Sequence, residues 1–320
     1  MKMNFVVLLF AISLFSCGDD NTIITEGTDN TNDPDETEAP TSNPPNVLGM
    51  DYTLSKVSVD ETYDALQNAL EANPNISIVA EVDHWANAAS VGLTLNPTKI
   101  IFFGNPNLGT PLMQKNQLAG LDLPQKILVY QNGEEEVYAA FNNTTYLSTR
   151  HNLDGVETLP MIQGALTNLS TGASQDTLVV AENSVAKLEE GVITKTVNGS
   201  CDEAYGRLRA AIEGNPALRI IAELDHQANA AKVDLELNPT RIIIFGNPNL
   251  GTPLMQNAQT TALDLPQKML VWTDDDGVGH VSYNDPKFLV ARHGITENEE
   301  VLNTVSGALD NLSNVAVGEK

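Results

Sequence analysis

The sequence predicts an α+β fold in which one module, a largely antiparallel sheet covered by helices, occurs twice in tandem. Residues 96–114 and 238–256 agree at seventeen of nineteen positions, at an offset of 142. Each copy also contains more strand-like segments than long helices, and a sheet of this kind buries its apolar face most naturally under helices on one side. We therefore expect the two copies to pack on each other pseudo-symmetrically, like the subunits of a two-fold dimer.

The first elements of each copy are a strand and a capped helix. Candidate strands occupy residues 50–58 and 192–199. A Ser-x-x-Glu capping box follows at residues 58–61 and 200–203, where the serine and glutamate side chains can each satisfy a free backbone N–H. Apolar residues then recur at helical spacing until an Asn-Pro pair ends the helix.

The middle of each copy is predicted as a strand, a short Ala-rich helix and a second strand. In the first copy these cover residues 76–83, 85–95 and 99–103, and they recur 142 residues later. The unbroken apolar run of the strand at residues 99–103 indicates burial on both faces. Thr110 followed by Pro111 then predicts a helix start, because threonine caps helices well and proline suits the first helical position.

The last elements of each copy are a hairpin and two helices. Residues 126–131 and 136–141 form the first hairpin, around an Asn-Gly turn, and residues 268–273 and 280–283 form the second. Asp-Pro at residues 285–286 starts a helix on the same reasoning as Thr110. A final amphipathic helix closes each copy.

The N-terminus indicates export and lipid anchoring. Residues 1–16 have a short basic start and an apolar run, which is typical of a signal peptide, and Leu-Phe-Ser before Cys17 resembles a bacterial lipobox. Residues 17–46 are acidic and lack Lys and Arg, which predicts a disordered tether. The modules then span residues 47–172 and 173–320, and we expect a lipid on Cys17 to hold the protein at the outer membrane, on its periplasmic or surface face.

The charge balance excludes one class of partner. With 17 basic and 42 acidic residues, the formal net charge is -25. Nucleic-acid binding needs clustered Lys and Arg to neutralise phosphates, so we expect no nucleic-acid partner. With Cys17 acylated, Cys201 would be the one remaining cysteine and is predicted to be a small buried hydrophobe.

Three motifs carry a resemblance to a known family. GNPNLGTPLMQ, LDLPQKMLVW and SYNDPKFLVARHG resemble the domain of unknown function 302 family. The resemblance covers both copies, residues 49–170 and 191–313. It implies a TATA-binding-protein-like fold, with a curved antiparallel sheet and helices packed on one face. It implies no activity, and the kinship in fold does not extend to DNA binding.

Polar residues that recur in both copies are the candidate ligand-binding positions. They are Glu81, Asp83, His84, Asn105, Arg150 and His151 in the first copy, and Glu223, Asp225, His226, Asn247, Arg292 and His293 in the second. His with carboxylates is typical zinc-ligand chemistry, so His84 and His226 are the candidate ligands of a divalent metal cofactor. Strand periodicity, however, places Glu81 and Asp83 on the face opposite His84 unless the strand ends between them.

Simpler interpretations apply to the same residues. His84 can hydrogen-bond a neighbouring loop. Arg150 and His151 lie near a helix end, where cations complement the helix dipole, although arginine also suits carboxylate or phosphate ligands. The Gly-Asn-Pro loop leads into a helix N-terminus and could bind an anion, but it also serves as a tight structural turn.

Three hypotheses for function remain open. The first is a lipid-anchored, non-catalytic module that binds a small ligand or metal ion. The second is a metal-assisted enzyme that uses the paired His and Asp residues, for which no catalytic residue can be assigned. The third is a structural or protein-interaction module. Strand order decides whether His84 and Asn105 can share a site. Antiparallel pairing of the strands at residues 76–83 and 99–103 would place them at opposite ends of the sheet.

Overall fold

The structure, a computed structural model, describes residues 44–319. The predicted signal peptide, Cys17 and nearly all of the predicted tether lie outside the described residues. The described residues belong to one compact unit that contains both repeats. Among the helices of residues 44–319, none combines the length and the hydrophobicity that a membrane-spanning helix requires.

Each repeat is built on one antiparallel sheet, and the segment that follows the first repeat adds a short sixth strand to the first sheet. The first sheet has the strands β1 (Met50–Ser55), β2 (Ser77–Asp83), β3 (Thr98–Gly104), β4 (Gln125–Gln131), β5 (Val137–Asn142) and β6 (Leu178–Val179). The second has β7 (Val192–Thr196), β8 (Arg219–Asp225), β9 (Thr240–Gly246), β10 (Gln267–Thr273) and β11 (Gly279–Asn284). The orders are β2-β3-β4-β5-β1-β6 and β8-β9-β10-β11-β7. The five repeated strands therefore share one topology, which confirms the predicted fold class.

The helices recur in the same order. The first repeat has α1 (Val59–Glu71), α2 (His84–Ser90), α3 (Pro106–Lys115), α4 (Thr144–His151) and α5 (Leu159–Ser174). The second has α6 (Cys201–Glu213), α7 (His226–Ala231), α8 (Pro248–Asn257), α9 (Pro286–His293) and α10 (Glu299–Val317). Short 3-10 turns, Gln117–Leu121 and Gln259–Leu263, follow α3 and α8. Both predicted capping boxes are formed.

One predicted helix start is wrong. Helix α3 begins at Pro106 rather than after Thr110, because the side-chain oxygen of Asn105 accepts the backbone N–H of Asn107 at 3.0 Å and caps the helix one turn earlier. Pro111 therefore lies inside the helix. The second repeat does the same with Asn247 and Pro248.

The sheet of the first repeat is buried on both faces. One face packs under α1 and α5 around side chains such as Leu66 and Ile101. The opposite face, which includes Ile100 and Phe102, packs against second-repeat residues such as Leu263. The unbroken apolar run of β3 is explained by this double burial.

Contacts between the repeats are reciprocal. The amide of Gln117 donates to the Thr240 hydroxyl at 2.8 Å, and Gln259 donates to Thr98 at the same distance. These two bonds are equivalent under the 142-residue offset. Such reciprocity, in which each surface makes the same contact on the other, is the pattern of an isologous two-fold interface.

Candidate functional site

His84 and Asn105 do not meet within their own repeat. Strands β2 and β3 pair antiparallel, with Asp83 opposite Lys99 and Ser77 opposite Gly104. His84 follows one end of this pair as the first residue of α2, whereas Asn105 follows the other end. The two side chains therefore lie at opposite ends of the sheet.

The histidine of one repeat meets the Gly-Asn-Pro loop of the other. Cleft 1 is lined by His84 and Asn87 of the first repeat and by Asn247, Thr252 and Gln267 of the second. The cavity measures about 90 Å³. The site is thus composite, because neither repeat alone supplies both sets of polar groups.

Cleft 2 repeats this arrangement with the roles of the two repeats exchanged. His226 and Asn229 come from the second repeat, and Asn105, Thr110 and Gln125 come from the first. The cavity measures about 140 Å³. Because all five positions are equivalent to those of cleft 1 at the 142-residue offset, the chain contains two copies of one site.

The walls of both clefts are mostly apolar. Phe245, Met255 and Leu309 line cleft 1, and their equivalents Phe103, Met113 and Leu166 line cleft 2. The leucines come from α10 and α5, which cover the sheets. An apolar cavity with a few convergent polar groups is typical of a small-molecule site.

Each cleft has two buried polar atoms without a hydrogen-bond partner among the described residues. They are His84 Nε2 and Thr252 Oγ1 in cleft 1, and His226 Nε2 and Gln125 Nε2 in cleft 2. His84 and His226 are only 5% and 6% exposed. Most buried polar groups in proteins are paired, so each exception requires an explanation, and a missing ligand is one.

Burial sets the protonation state of the two histidines. It lowers the pKa of His84 to about 4, although the nearby backbone of Leu265 opposes the shift. It likewise lowers the pKa of His226 to about 4, against the opposing charge of Asp225. Both imidazoles are therefore neutral at pH 7 and can donate or accept a hydrogen bond without carrying charge.

The candidate carboxylates beside these histidines have structural roles. Glu81 accepts a hydrogen bond from the Tyr63 hydroxyl at 3.0 Å, and Asp83 caps α2 by accepting the Ala86 N–H at 2.8 Å. The equivalents Glu223 and Asp225 make the same bonds to Tyr205 and Ala228. None of these carboxylates lines a cleft, so the structure does not place them with the histidines.

The remaining candidates belong to a buried ion cluster between the repeats. Its charged and imidazole members are Asp122, Lys126, Arg150, His151, Asp264, Lys268, Arg292 and His293. Arg150 donates to Asp122 at 2.7 Å and, across the interface, to Asn284 at 2.7 Å. Arg292 donates to Asp264 at 2.6 Å and to Asn142 at 2.7 Å. The arginines therefore join the repeats rather than complement a helix dipole at the surface.

The carboxylates of the ion cluster stay ionised because neighbouring cations and hydrogen bonds from the histidines stabilise their charge. Burial alone would raise the pKa of Asp122, but Arg150, His151 and Lys126 together hold it well below its usual value. Asp264 is held down in the same way, chiefly by Arg292 and Lys126 against the effect of burial. Burial, and the nearby Lys126, lower the pKa of Lys268 well below its usual value.

Several residues of the ion cluster and of the clefts are absent from the positions predicted from the sequence. They include Asp122 and Lys126 of the ion cluster, and Thr110 and Gln125 of cleft 2. The signal was present, because each of these residues recurs 142 positions later. What the sequence did not reveal is which repeated residues meet across the interface.

The described residues do not form a metal centre of the predicted kind. Within residues 44–319, no three His, Cys, Asp or Glu side chains lie close enough to hold a metal ion together. In each cleft, the histidine lies among amide and hydroxyl side chains instead.

A family model matches each repeat once. The model, described as "Domain of unknown function DUF302", matches residues 50–169 and 193–312. The two matches confirm that the resemblance carried by the Gly-Asn-Pro and LDLPQK motifs extends over both copies.

Curated relatives share a segment of about one repeat. The protein called "Fluoride-specific ion channel FluC 1" of Brucella suis biovar 1 (strain 1330) is 36% identical over 114 residues, which cover 36% of this chain and 44% of that protein. The protein of the same name from Brucella abortus biovar 1 (strain 9-941) is also 36% identical over 114 residues, which cover 42% of its length. The chain thus spans less than half the length of these relatives.

Two solved structures show weak likeness. An uncharacterised conserved DUF302 protein from Bacillus stearothermophilus has a TM-score of 0.36 at 16% identity, over 40% of this chain and 98% of its own. DynU16, a putative protein in the dynemicin biosynthetic locus, has a TM-score of 0.23 at 10% identity, over 86% of this chain and 98% of its own.

Proposed function

The chain belongs to the DUF302 family, and we propose that its tandem repeats form a non-catalytic binding protein with two composite clefts for small, largely apolar ligands. The description of the family assigns no activity, so the proposal comes from the clefts themselves. Its main support is that both clefts pair a buried, unpartnered histidine Nε2 with the Gly-Asn-Pro loop of the other repeat.

The unpartnered atoms favour a ligand with a hydrogen-bonding group. A buried polar atom without a partner costs about 1–3 kcal/mol, and a ligand that pairs with it recovers that cost. Cleft 2 offers the Gln125 amide beside the His226 imidazole, and cleft 1 offers the Thr252 hydroxyl beside His84. Apolar walls around these points favour a small organic body that carries one or two polar groups.

The same geometry argues against a module that binds a metal ion and against a metal-assisted enzyme. A lone neutral imidazole among amides and hydroxyls is a poor ligand set for zinc, which is usually held by three or four His, Cys or carboxylate ligands. A histidine with a pKa of about 4 is also a weak general base at neutral pH, where the best catalytic groups have a pKa near the working pH. Binding without catalysis therefore needs fewer assumptions.

We propose that a lipid on Cys17 and the acidic tether hold the two clefts in the cell envelope, as the N-terminal sequence predicts. Incorporation of a fatty-acid label into the full chain, and its loss in Cys17→Ala, tests this part separately from ligand binding. Equal labelling of both proteins would contradict it.

Filling each cleft in turn tests the binding function. Ala308 lies half-buried in cleft 1 and Ala165 in cleft 2, so Ala308→Phe and Ala165→Phe each close one cleft and serve as controls for each other. The methyl groups of Met255 and Met113 report on the two clefts by NMR after [methyl-13C]methionine labelling.

Benzamide is a suitable probe because it is small, uncharged and both donates and accepts hydrogen bonds. We expect it to shift both methyl signals in the unmodified chain, only that of Met113 in Ala308→Phe, and only that of Met255 in Ala165→Phe. No saturable shift at either methyl group in the unmodified chain would overturn the proposal.

A further inference from the structure

The two clefts differ in formal charge at one position. Arg219 lines cleft 1, and its equivalent in cleft 2 is Ser77. Arg219 is the one permanently charged side chain among the described residues that line either cleft. The duplicated site has therefore kept its histidine, asparagine, threonine and glutamine positions while its charge has diverged.

Arg219 is free to bind an external group. Within residues 44–319 its side chain has no ion pair and no hydrogen bond, although Arg207, Arg209 and Arg241 are all engaged with protein acceptors. Arg219 is exposed at the first position of β8. All the N–H groups of its guanidinium are therefore available to a group outside the protein.

The surroundings of Arg219 suit a carboxylate. In the sheet register Arg219 lies opposite Gly246, the residue before Asn247, and α8 begins immediately afterwards at Pro248. The N-terminus of a ten-residue helix adds partial positive charge there. Because cleft 2 has the same loop and a helix α3 of the same length, the arginine is what makes the clefts different.

We propose that cleft 1 selects small monocarboxylates with an apolar body, whereas cleft 2 takes uncharged molecules of the same shape. The carboxylate pairs with Arg219, whose planar guanidinium can donate two parallel hydrogen bonds to it. The apolar body of the ligand lies against the apolar side chains of the cleft wall, beside the unpartnered Nε2 of His84. The inference rests on the proposed binding function and adds the ligand class of one cleft.

Benzoate and benzamide test the charge selection, because they share a shape and differ in charge. In the full chain labelled with [methyl-13C]methionine, Met255 reports on cleft 1 and Met113 on cleft 2. We expect benzoate to bind about fivefold more tightly at Met255 than at Met113, which is the scale of a partly exposed ion pair, and benzamide to show no such preference. Added salt should reduce the benzoate preference.

The matched variants move the arginine from one cleft to the other. Arg219→Ser should remove the benzoate preference at Met255, and Ser77→Arg should create one at Met113. Both positions are exposed, so either variant should fold. Equal benzoate binding at both methyl groups, or a preference that survives Arg219→Ser, would overturn the charge selection and leave the binding function standing. If neither methyl signal shifts with either probe, both the charge selection and the binding function are overturned.

Discussion

His84 of the first repeat lies in one cleft with Asn247 of the second, although the residue equivalent to Asn247 in its own repeat is at the far end of the sheet. Antiparallel pairing separates these groups within a repeat, and packing of the two repeats brings them together. Each isolated repeat therefore holds two half-sites. Duplication of the module supplies within one chain the partner surface that completes them.

The buried ion cluster should be essential for stability. Asp264 pairs with Arg292 at 2.6 Å and with Lys126 at 3.3 Å, and all three side chains are almost completely buried. Asp264→Asn leaves two buried cations without their counter-charge, so we expect the free energy of unfolding in urea to fall by about 3–5 kcal/mol.

An exposed pair provides the control for this experiment. Asp310 pairs with Lys195 at 2.6 Å, but its side chain is 55% exposed. Because exposed pairs contribute little, Asp310→Asn should change the free energy of unfolding by less than about 1 kcal/mol. If the two variants lose similar amounts of unfolding free energy, burial does not make the ion pairs of the cluster more stabilising than an exposed pair.

The cleft histidines should make stability depend on pH. Each has a pKa of about 4 when folded and an ordinary value of 6.5, so the unfolded chain binds the extra protons between these pH values. The free energy of unfolding should therefore fall as pH drops from 6.5 toward 4, by up to about 3 kcal/mol for each histidine. Urea unfolding of the unmodified chain at several pH values measures this slope.

Replacing both histidines separates their contribution from that of other groups. The double variant His84→Leu with His226→Leu should show a shallower fall over this range. Some slope should remain, because burial also lowers the pKa of His151 and His293. Identical slopes in the two proteins would contradict the assignment of these shifts to the clefts.

Gly49 should not tolerate a side chain. It has a φ of +69°, and a Cβ atom built there would lie 2.3 Å from the Cβ of Tyr146. Gly49→Ala combines backbone strain with this clash, so we expect a loss of about 3 kcal/mol or more in the free energy of unfolding.

Gly92 isolates the contribution of the backbone. Its φ is +75°, but nothing lies within 4 Å of the position of its Cβ. Gly92→Ala should therefore cost only the strain, about 1 kcal/mol. If thermal or urea unfolding shows the two variants to be equally destabilised, the contact with Tyr146 is not what requires glycine at Gly49.

Local patterns in the sequence were enough to predict the module. Capping boxes, strand periodicity and the 142-residue repeat gave the helices, the strands and their duplication, because these features depend on near neighbours. The start of α3 is predicted wrongly because Asn105-Pro106 and Thr110-Pro111 both fit the pattern of a cap followed by proline at the first helical position. The side chain of Asn105 caps the helix, so the earlier start is formed.

The sites depend on contacts that no local pattern reports. Arg150 sits at the end of α4, where the sequence favours an interaction with the helix dipole, but its guanidinium is buried against Asp122 and Asn284. His84 follows two carboxylates in sequence, but it lies with Asn247 of the other repeat. Recurrence identified several of the right residues, and only the packing of the repeats shows which ones meet.

Single histidine substitutions, measured at both clefts, test the composite sites most directly. In the full chain labelled at its methionine methyl groups, we expect His84→Leu to weaken benzamide binding about fivefold to tenfold at Met255, because one hydrogen bond is lost, and to leave Met113 unchanged. His226→Leu should do the reverse. If His84→Leu instead weakens binding at Met113 in its own repeat and spares Met255, the clefts are not built across the two repeats.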